Sequence, residues 1–326
     1  MRFRYYHFIC SILEKEIYAS ILEGFLECRE KIAISNDISI PSEIIWKVVK
    51  MVLYDNPRIF YVSIRDSCVT RTSLLIILEP KYTFPLSSIV ELNDWLNERI
   101  GEICAPVVSS DDDFAKEIFI HNYMIQNIKY SKANVSQIAN AYTIIGTLLE
   151  NYCVCAGVSL TFKLLMDFLD VPCIVALGET INQSNNNGPH AWNIVNIEGD
   201  YYQLDVTWGL LEDQNSRIIK YDYFNLTSYE MYKSRIPEYK YPDCQHVRHN
   251  YFLYTRSIAL SIDDLHNCIE SKAIVGEECI YVKYYEGSIT NDEIHQLLKS
   301  ISSIGNYSFW HNKEMRTVLI RRVNVR

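Results

Sequence analysis

Cys153-Val154-Cys155-Ala156-Gly157-Val158-Ser159-Leu160-Thr161-Phe162-Lys163-Leu164-Leu165-Met166-Asp167-Phe168-Leu169 opens with two cysteines and runs on as a helix. Val158, Phe162, Leu165 and Leu169 recur at helical spacing and share one face. Cys155 then stands at, or just before, the first turn. Backbone N–H groups there have no intrahelical partner and the macrodipole is positive, so thiolate is favoured over thiol. The thiolate is the nucleophilic form, and the same N–H groups can later hold an oxyanion.

Downstream, Val171–Leu177 reads as a strand, and the Asn-rich stretch through Gly188-Pro189, including Ser184-Asn185-Asn186-Asn187, as a flexible loop. His190-Ala191-Trp192-Asn193-Ile194-Val195-Asn196-Ile197 and Tyr201-Tyr202-Gln203-Leu204-Asp205-Val206-Thr207-Trp208 are two extended runs flanking Glu198-Gly199-Asp200, which predicts a β-hairpin. A two-residue turn at 198–199 or 199–200 makes cross-strand partners sum to an odd number. Side chains alternate along a strand, so His190 and Asp205 then lie on one face. A three-residue loop would put them on opposite faces. On one face they complete a nucleophile, base and orienting carboxylate: Cys155, His190 and Asp205.

Each of these residues also has an ordinary structural reading: a small buried thiol, a histidine opening a strand, a solvated hairpin carboxylate. The joint pattern favours chemistry. Zinc competes for the same side chains, since Cys153, Cys155, Cys173 and His190 offer four ligands. Cys-x-Cys is not the usual zinc spacing, however, and no second close pair follows, so no metal is expected.

The flanks are quieter. A helical period covers 8–33, a second helix opens at Pro41-Ser42, and Asp55-Asn56-Pro57 ends it. Ile59–Ile64 and Ser73–Leu78 read as strands, and Ile89–Ile103 as a helix. This unit, 1–107, shows no polar cluster that suggests chemistry. In the central unit, 108–235, Ser110 before three aspartates predicts a helix N-terminus, and Ala139–Leu149 a short helix. The last unit, 236–326, alternates helix and strand.

A net charge of −9 argues against a nucleic-acid partner, which needs a basic footprint. No apolar stretch approaches the roughly 18 residues of a membrane span. Glu14, Lys15 and Glu16 interrupt the apolar start that a signal peptide would need. The ten cysteines are scattered without paired spacing and read as mostly reduced thiols, so a cytoplasmic location is expected. Oligomeric state is not encoded in any pattern recognised.

Cys-Val-Cys-Ala-Gly at 153–157, His-Ala-Trp-Asn at 190–193 and Tyr-Tyr-Gln-Leu-Asp-Val-Thr-Trp at 201–208 together resemble the core of bacterial transglutaminase-like domains. That family's pattern is Gly-Val-Cys-x-Gly, His-Ala-Trp-Asn and Trp-Tyr-x-x-Asp-x-Thr-Trp. The resemblance covers about residues 112–230, and 40–85 more loosely. It places the nucleophile on Cys155, the imidazole on His190 and the carboxylate on Asp205. Cys153 stands where the family has Gly, and Val158 where it usually has Tyr. The resemblance implies an α+β fold with a papain-like core, a Cys-bearing helix packed on an antiparallel sheet that carries His and Asp, with flanking N- and C-terminal units. It implies a cofactor-free enzyme acting on a peptide or protein substrate through a thioester, as a peptidase or amidase. The alternatives are transfer to an amine, as in a transglutaminase or ligase, and an inactive binding scaffold.

Overall fold

A computed structural model describes residues 3–131, 139–181, 188–211 and 218–323, mixing helices with sheets; the Asn-rich run at 184–187 lies outside the described residues. The chain divides into two units, 1–245 and 246–326.

The first unit begins with α1 (Tyr5–Ile9), α2 (Ile12–Leu26), β1 (Ile32–Ser35), α3 (Ser42–Asp55), β2 (Val62–Arg71), β3 (Ile76–Tyr82), α4 (Leu86–Cys104) and α5 (Asp113–Asn127). A 3-10 turn (Ala139–Tyr142) and a π turn (Gly146–Glu150) lead into α6 (Cys155–Phe168). There follow β4 (Cys173–Thr180), β5 (Pro189–Ile197), β6 (Asp200–Leu204), α7 (Val206–Leu211), α8 (Ser228–Met231) and β7 (Arg235–Pro237). Two antiparallel sheets result, in the orders β1-β3-β2 and β6-β5-β4-β7.

Local side chains shift several boundaries from the sequence reading. The helical period over 8–33 breaks at Cys10, because Ser11 and Glu14 form a capping box that restarts the helix. Ile59–Tyr61 is a buried turn rather than a strand start: the Ile59 N–H bonds the Asn56 carbonyl at 2.9 Å, and β2 begins at Val62. Asp112, not Ser110, caps α5; its Oδ1 accepts from the Phe114 and Ala115 N–H groups at 2.9 and 3.1 Å. The expected helix over Ala139–Leu149 is split into its two irregular turns. A Cβ at Gly146 would collide with the Asn140 carbonyl, so the chain doubles back there more tightly than a helix allows.

The sequence pattern marks one apolar face on α6, but the helix is buried almost all round, from Ala156 through Met166. It packs on β4 and β5 and also meets α4, α5 and α7. Asn193 ties the sheet to it, its Nδ2 donating to the Ser159 carbonyl at 3.0 Å and the Ile174 carbonyl at 3.3 Å. The N-terminal residues pack on the same sheet. Tyr6 donates its hydroxyl to the Val175 carbonyl at 2.6 Å, and the fully buried Lys163 donates to the Phe3 and Cys173 carbonyls at 3.1 and 2.8 Å. Asp55 accepts from the Tyr6 and His7 N–H groups at 3.1 and 2.9 Å. Residues 236–245 belong here too: the Tyr241 hydroxyl accepts from the Leu177 N–H at 2.8 Å.

The second unit holds α9 (Tyr251–Tyr254), β8 (Ile258–Ala259), α10 (Ile262–Ile274), β9 (Cys279–Tyr284), α11 (Asn291–Ser300), β10 (Asn306–Asn312) and β11 (Thr317–Val323). Its sheet runs β10-β11-β9-β8, with β8 and β9 parallel across the α10 crossover. Leu265 and Ile269 of α10 and Ile294 and Leu298 of α11 pack with Ile280, Val282, Val318 and Ile320 of the sheet in one apolar core.

Candidate active site

Glu198 and Gly199 make the turn between β5 and β6, both with positive φ, 54° and 95°. That backbone matches the twist of a two-residue hairpin, and glycine adopts it without strain. The partners are Ile197 with Asp200 and Asn193 with Leu204, an odd sum throughout. His190 and Asp205 are therefore carried on one face. The strand expected to reach Trp208 stops at Leu204, where the chain turns into α7. Asp205 sits at that junction, and its Oδ1 accepts from the Trp208 N–H at 3.3 Å, closing the first turn of the helix. Its other oxygen, Oδ2, meets His190 Nε2 at 2.7 Å.

Cys155 is the first residue of α6, with Val154 as the capping residue. It is partly exposed, whereas His190 and Asp205 are buried. Its thiol is close enough to the His190 ring for the two to interact electrostatically. Because Asp205 occupies Nε2, the nitrogen left for the thiol is Nδ1. Trp192, two residues on from His190, stacks its ring on the imidazole at 6.2 Å between centroids and 15° between planes. Its indole N–H is satisfied by Gln203 Oε1 at 2.7 Å. The spacing of His190, Trp192 and Asn193 thus sets the imidazole orientation and locks its strand to α6.

Two further residues join the site, and no motif announced them. Arg235, fully buried on the short strand β7, reaches Asp205 Oδ2 with Nη2 at 2.7 Å and Nε at 3.3 Å. Its guanidinium lies 4.3 Å from the Trp208 ring, and Ser234 takes its Nη1. Nothing in the sequence around Arg235 points to Asp205 or Trp208; only folding brings them together. The Tyr130 hydroxyl lies close to Cys155. Burial, reinforced by Cys155, Cys153 and Asp205, pushes that phenol up to about 12, so it stays protonated.

The electrostatics oppose and then favour charge. Burial works against an imidazolium at His190, but the Asp205 carboxylate overcomes it and raises the imidazole above its ordinary value. Burial likewise disfavours ionised Asp205, yet His190 and Arg235 hold it below the usual carboxylate range. The arrangement can therefore hold His190 as an imidazolium at neutral pH. Cys153 is different in kind. It is fully buried, its Sγ donates to the Lys129 carbonyl at 3.4 Å, and burial pushes the thiol up to about 12. Val158 is buried in the core of α6. Cys173 is buried against Asn193, with Nδ2 to Sγ at 3.5 Å. Among the described residues no three His, Cys, Asp or Glu side chains converge to hold a metal ion.

No protein-family model and no curated protein matches the sequence. Three solved structures show partial similarity. One is described as a TGase, with 14% identity, a TM-score of 0.33, and coverage of 48% of this chain and 47% of that one. Another is a candidate cysteine protease from Cytophaga hutchinsonii, with 13% identity, a TM-score of 0.28 and coverage of 44% and 61%. A third is a candidate protease from Parabacteroides distasonis, with 11% identity, a TM-score of 0.26 and coverage of 41% and 29%. The matched regions span about half the length of the first of these chains and less than a third of the last.

Proposed function

We propose that this chain is a transglutaminase-like cysteine enzyme that opens amide bonds of a peptide or protein through a thioester on Cys155. The observation that carries the reading is the buried 2.7 Å contact between His190 Nε2 and Asp205 Oδ2, with Cys155 opening the helix packed on the same sheet. The motifs at 153–157, 190–193 and 201–208 support it independently.

In this mechanism the Cys155 thiolate attacks the amide carbonyl carbon, and the carbonyl electron pair moves to oxygen. N–H groups at the start of α6 and the Tyr130 hydroxyl are the nearby donors for that oxyanion. As the C–N bond breaks, the imidazolium of His190 gives its proton to the leaving nitrogen, and a thioester remains. His190, now neutral, takes a proton from water, which adds to the thioester carbonyl; the thiolate leaves and a carboxylic acid is released. Asp205 holds the ring and favours its charged form throughout, and Arg235 holds Asp205. Hydrolysis makes the enzyme a peptidase or amidase. An amine in place of water would make it a transglutaminase.

Iodoacetamide at neutral pH, followed by intact mass and peptide mapping, tests the nucleophile. One fast adduct at Cys155 among the ten cysteines is expected, and Cys155→Ala should take none at that rate. Labelling of Cys155 no faster than that of the exposed Cys68 and Cys279 would sink the reading. Product masses from a peptide amide, with and without an added primary amine, then separate hydrolysis from transfer.

A further inference from the structure

The first unit holds an open cavity of about 490 Å³ that includes Leu160 of α6, the helix that Cys155 begins. Pockets for specific ligands run to about 300–1,000 Å³ and are mostly apolar with a few polar groups. This one fits that description. Leu53 and Tyr54 of α3, Phe60 of the turn before β2, Val62 at its start, Tyr142 of the 3-10 turn and Leu160 of α6 contribute to its walls. None of these residues belongs to the triad, and most come from the N-terminal part of the chain, where no motif for chemistry stands.

Two observations connect the cavity to Cys155. The 3-10 turn that closes one wall is bonded directly to the residue before the nucleophile, the Val154 N–H donating to the Ala141 carbonyl at 3.0 Å. Gly157, one turn into α6, packs so tightly on the same segment that a Cβ there would lie 2.7 Å from the Ala141 carbonyl. In addition, the Tyr54 hydroxyl is close enough to feel the charge of both Cys155 and Tyr142.

The fold also supplies a place for an extended backbone. In the sheet β1-β3-β2, β2 is an edge strand, with β3 on one side and no strand on the other among the described residues. Val62, Ser63, Ile64 and Arg65 of this edge line the cavity. An exposed edge accepts an added strand through main-chain hydrogen bonds, while neighbouring pockets select its side chains.

We propose that this cavity is the specificity pocket of the enzyme, taking a bulky apolar side chain, aromatic or branched aliphatic, next to the amide that Cys155 attacks. The inference rests on the reading of Cys155 as nucleophile and extends it: the N-terminal segment of the chain becomes the part that chooses the substrate.

The test uses iodoacetamide and its N-hexyl and N-benzyl derivatives on the full chain. Modification rates at Cys155 are followed by intact mass, and each is divided by the rate with N-acetylcysteine to remove intrinsic reactivity. The apolar derivatives should exceed the parent by about tenfold, the factor that 1.4 kcal/mol represents. Val62→Lys, which puts a charge in the wall, should bring the ratio near one. Thr70→Lys, exposed on the same strand and outside the cavity, should keep it. Selective labelling of Cys155 by iodoacetamide with no gain for the apolar derivatives overturns the pocket and leaves the nucleophile standing. Full preference retained in folded Val62→Lys also overturns it. Failure of Cys155 to outpace the other cysteines with iodoacetamide itself overturns the reading beneath both. The wild-type ratio decides even if Val62→Lys does not fold.

Discussion

Asp205 accepts from three directions, His190 and Arg235 on Oδ2 and the Trp208 N–H on Oδ1, and this crowding is what keeps a fully buried carboxylate charged. Its charge in turn raises His190, so the imidazolium survives above its ordinary value near 6.5 and is lost only as pH rises through the elevated one. Since the leaving nitrogen needs that proton, the alkaline limb of kcat/KM on a peptide amide should lie above the ordinary histidine range. Asp205→Asn removes the cause and should move that limb down toward 6.5 while lowering the rate; a limb that does not move would exclude His190 as the acid. Arg235→Gln leaves a buried carboxylate with one cation fewer. Breaking a buried pair in this way costs about 3–5 kcal/mol, so a clear loss in thermal unfolding temperature is expected before any kinetic effect is read. An unfolding temperature equal to wild type would mean that Arg235 does not hold Asp205 in solution.

Elements position these side chains through their ends rather than their middles. Cys155 opens α6, Asp205 stands between β6 and α7, and His190 lies near the start of β5. The register of the hairpin depends on a two-residue turn whose φ values are both positive, and that turn carries His190 and Asp205 to the same face. Helix ends elsewhere are set by single caps. Asp112→Ala should remove about 1 kcal/mol and lower the unfolding temperature by about 2–4 °C, while Ser110→Ala should change little. Equal losses from both would show that α5 starts earlier than its capping hydrogen bonds indicate. Placement of Cys155, by contrast, is robust, because α6 is held by packing on nearly every side.

At the scale of the whole molecule the N-terminal helices are parts of the first unit's core. Tyr6 reaches β4, Phe3 reaches Lys163, and Asp55 binds the first turn of α1; burial raises that carboxyl to about 6 in spite of its N–H and hydroxyl donors. Within the first unit, removing residues 1–107 should therefore leave residues 108–245 without a cooperative unfolding transition. Residues 246–326, which carry a separate apolar core, should unfold cooperatively when expressed alone. Circular dichroism and calorimetry of both fragments check this. A cooperative 108–245 fragment would mean that α1 to α4 only decorate the fold.

Periodicity and turn chemistry are local properties, and they were readable in the chain: the α6 stripe, the hairpin about Glu198-Gly199, and the motifs that single out Cys155, His190 and Asp205. Local competition between caps and turns already exceeded what periodicity resolves, as at Ser11, Asp112 and Ile59–Tyr61, because a single hydrogen bond decides where a helix or strand begins. Arg235, Tyr130 and the cavity walls lay beyond reach for a different reason. Arg235 is thirty residues from Asp205 and Tyr130 twenty-five from Cys155, and the cavity joins residues from 53 to 160. No spacing rule links positions so far apart. Only the packing of α3, the edge of β2 and the turn at 139–142 around α6 brings them to one place, and burial then gives each its chemical character.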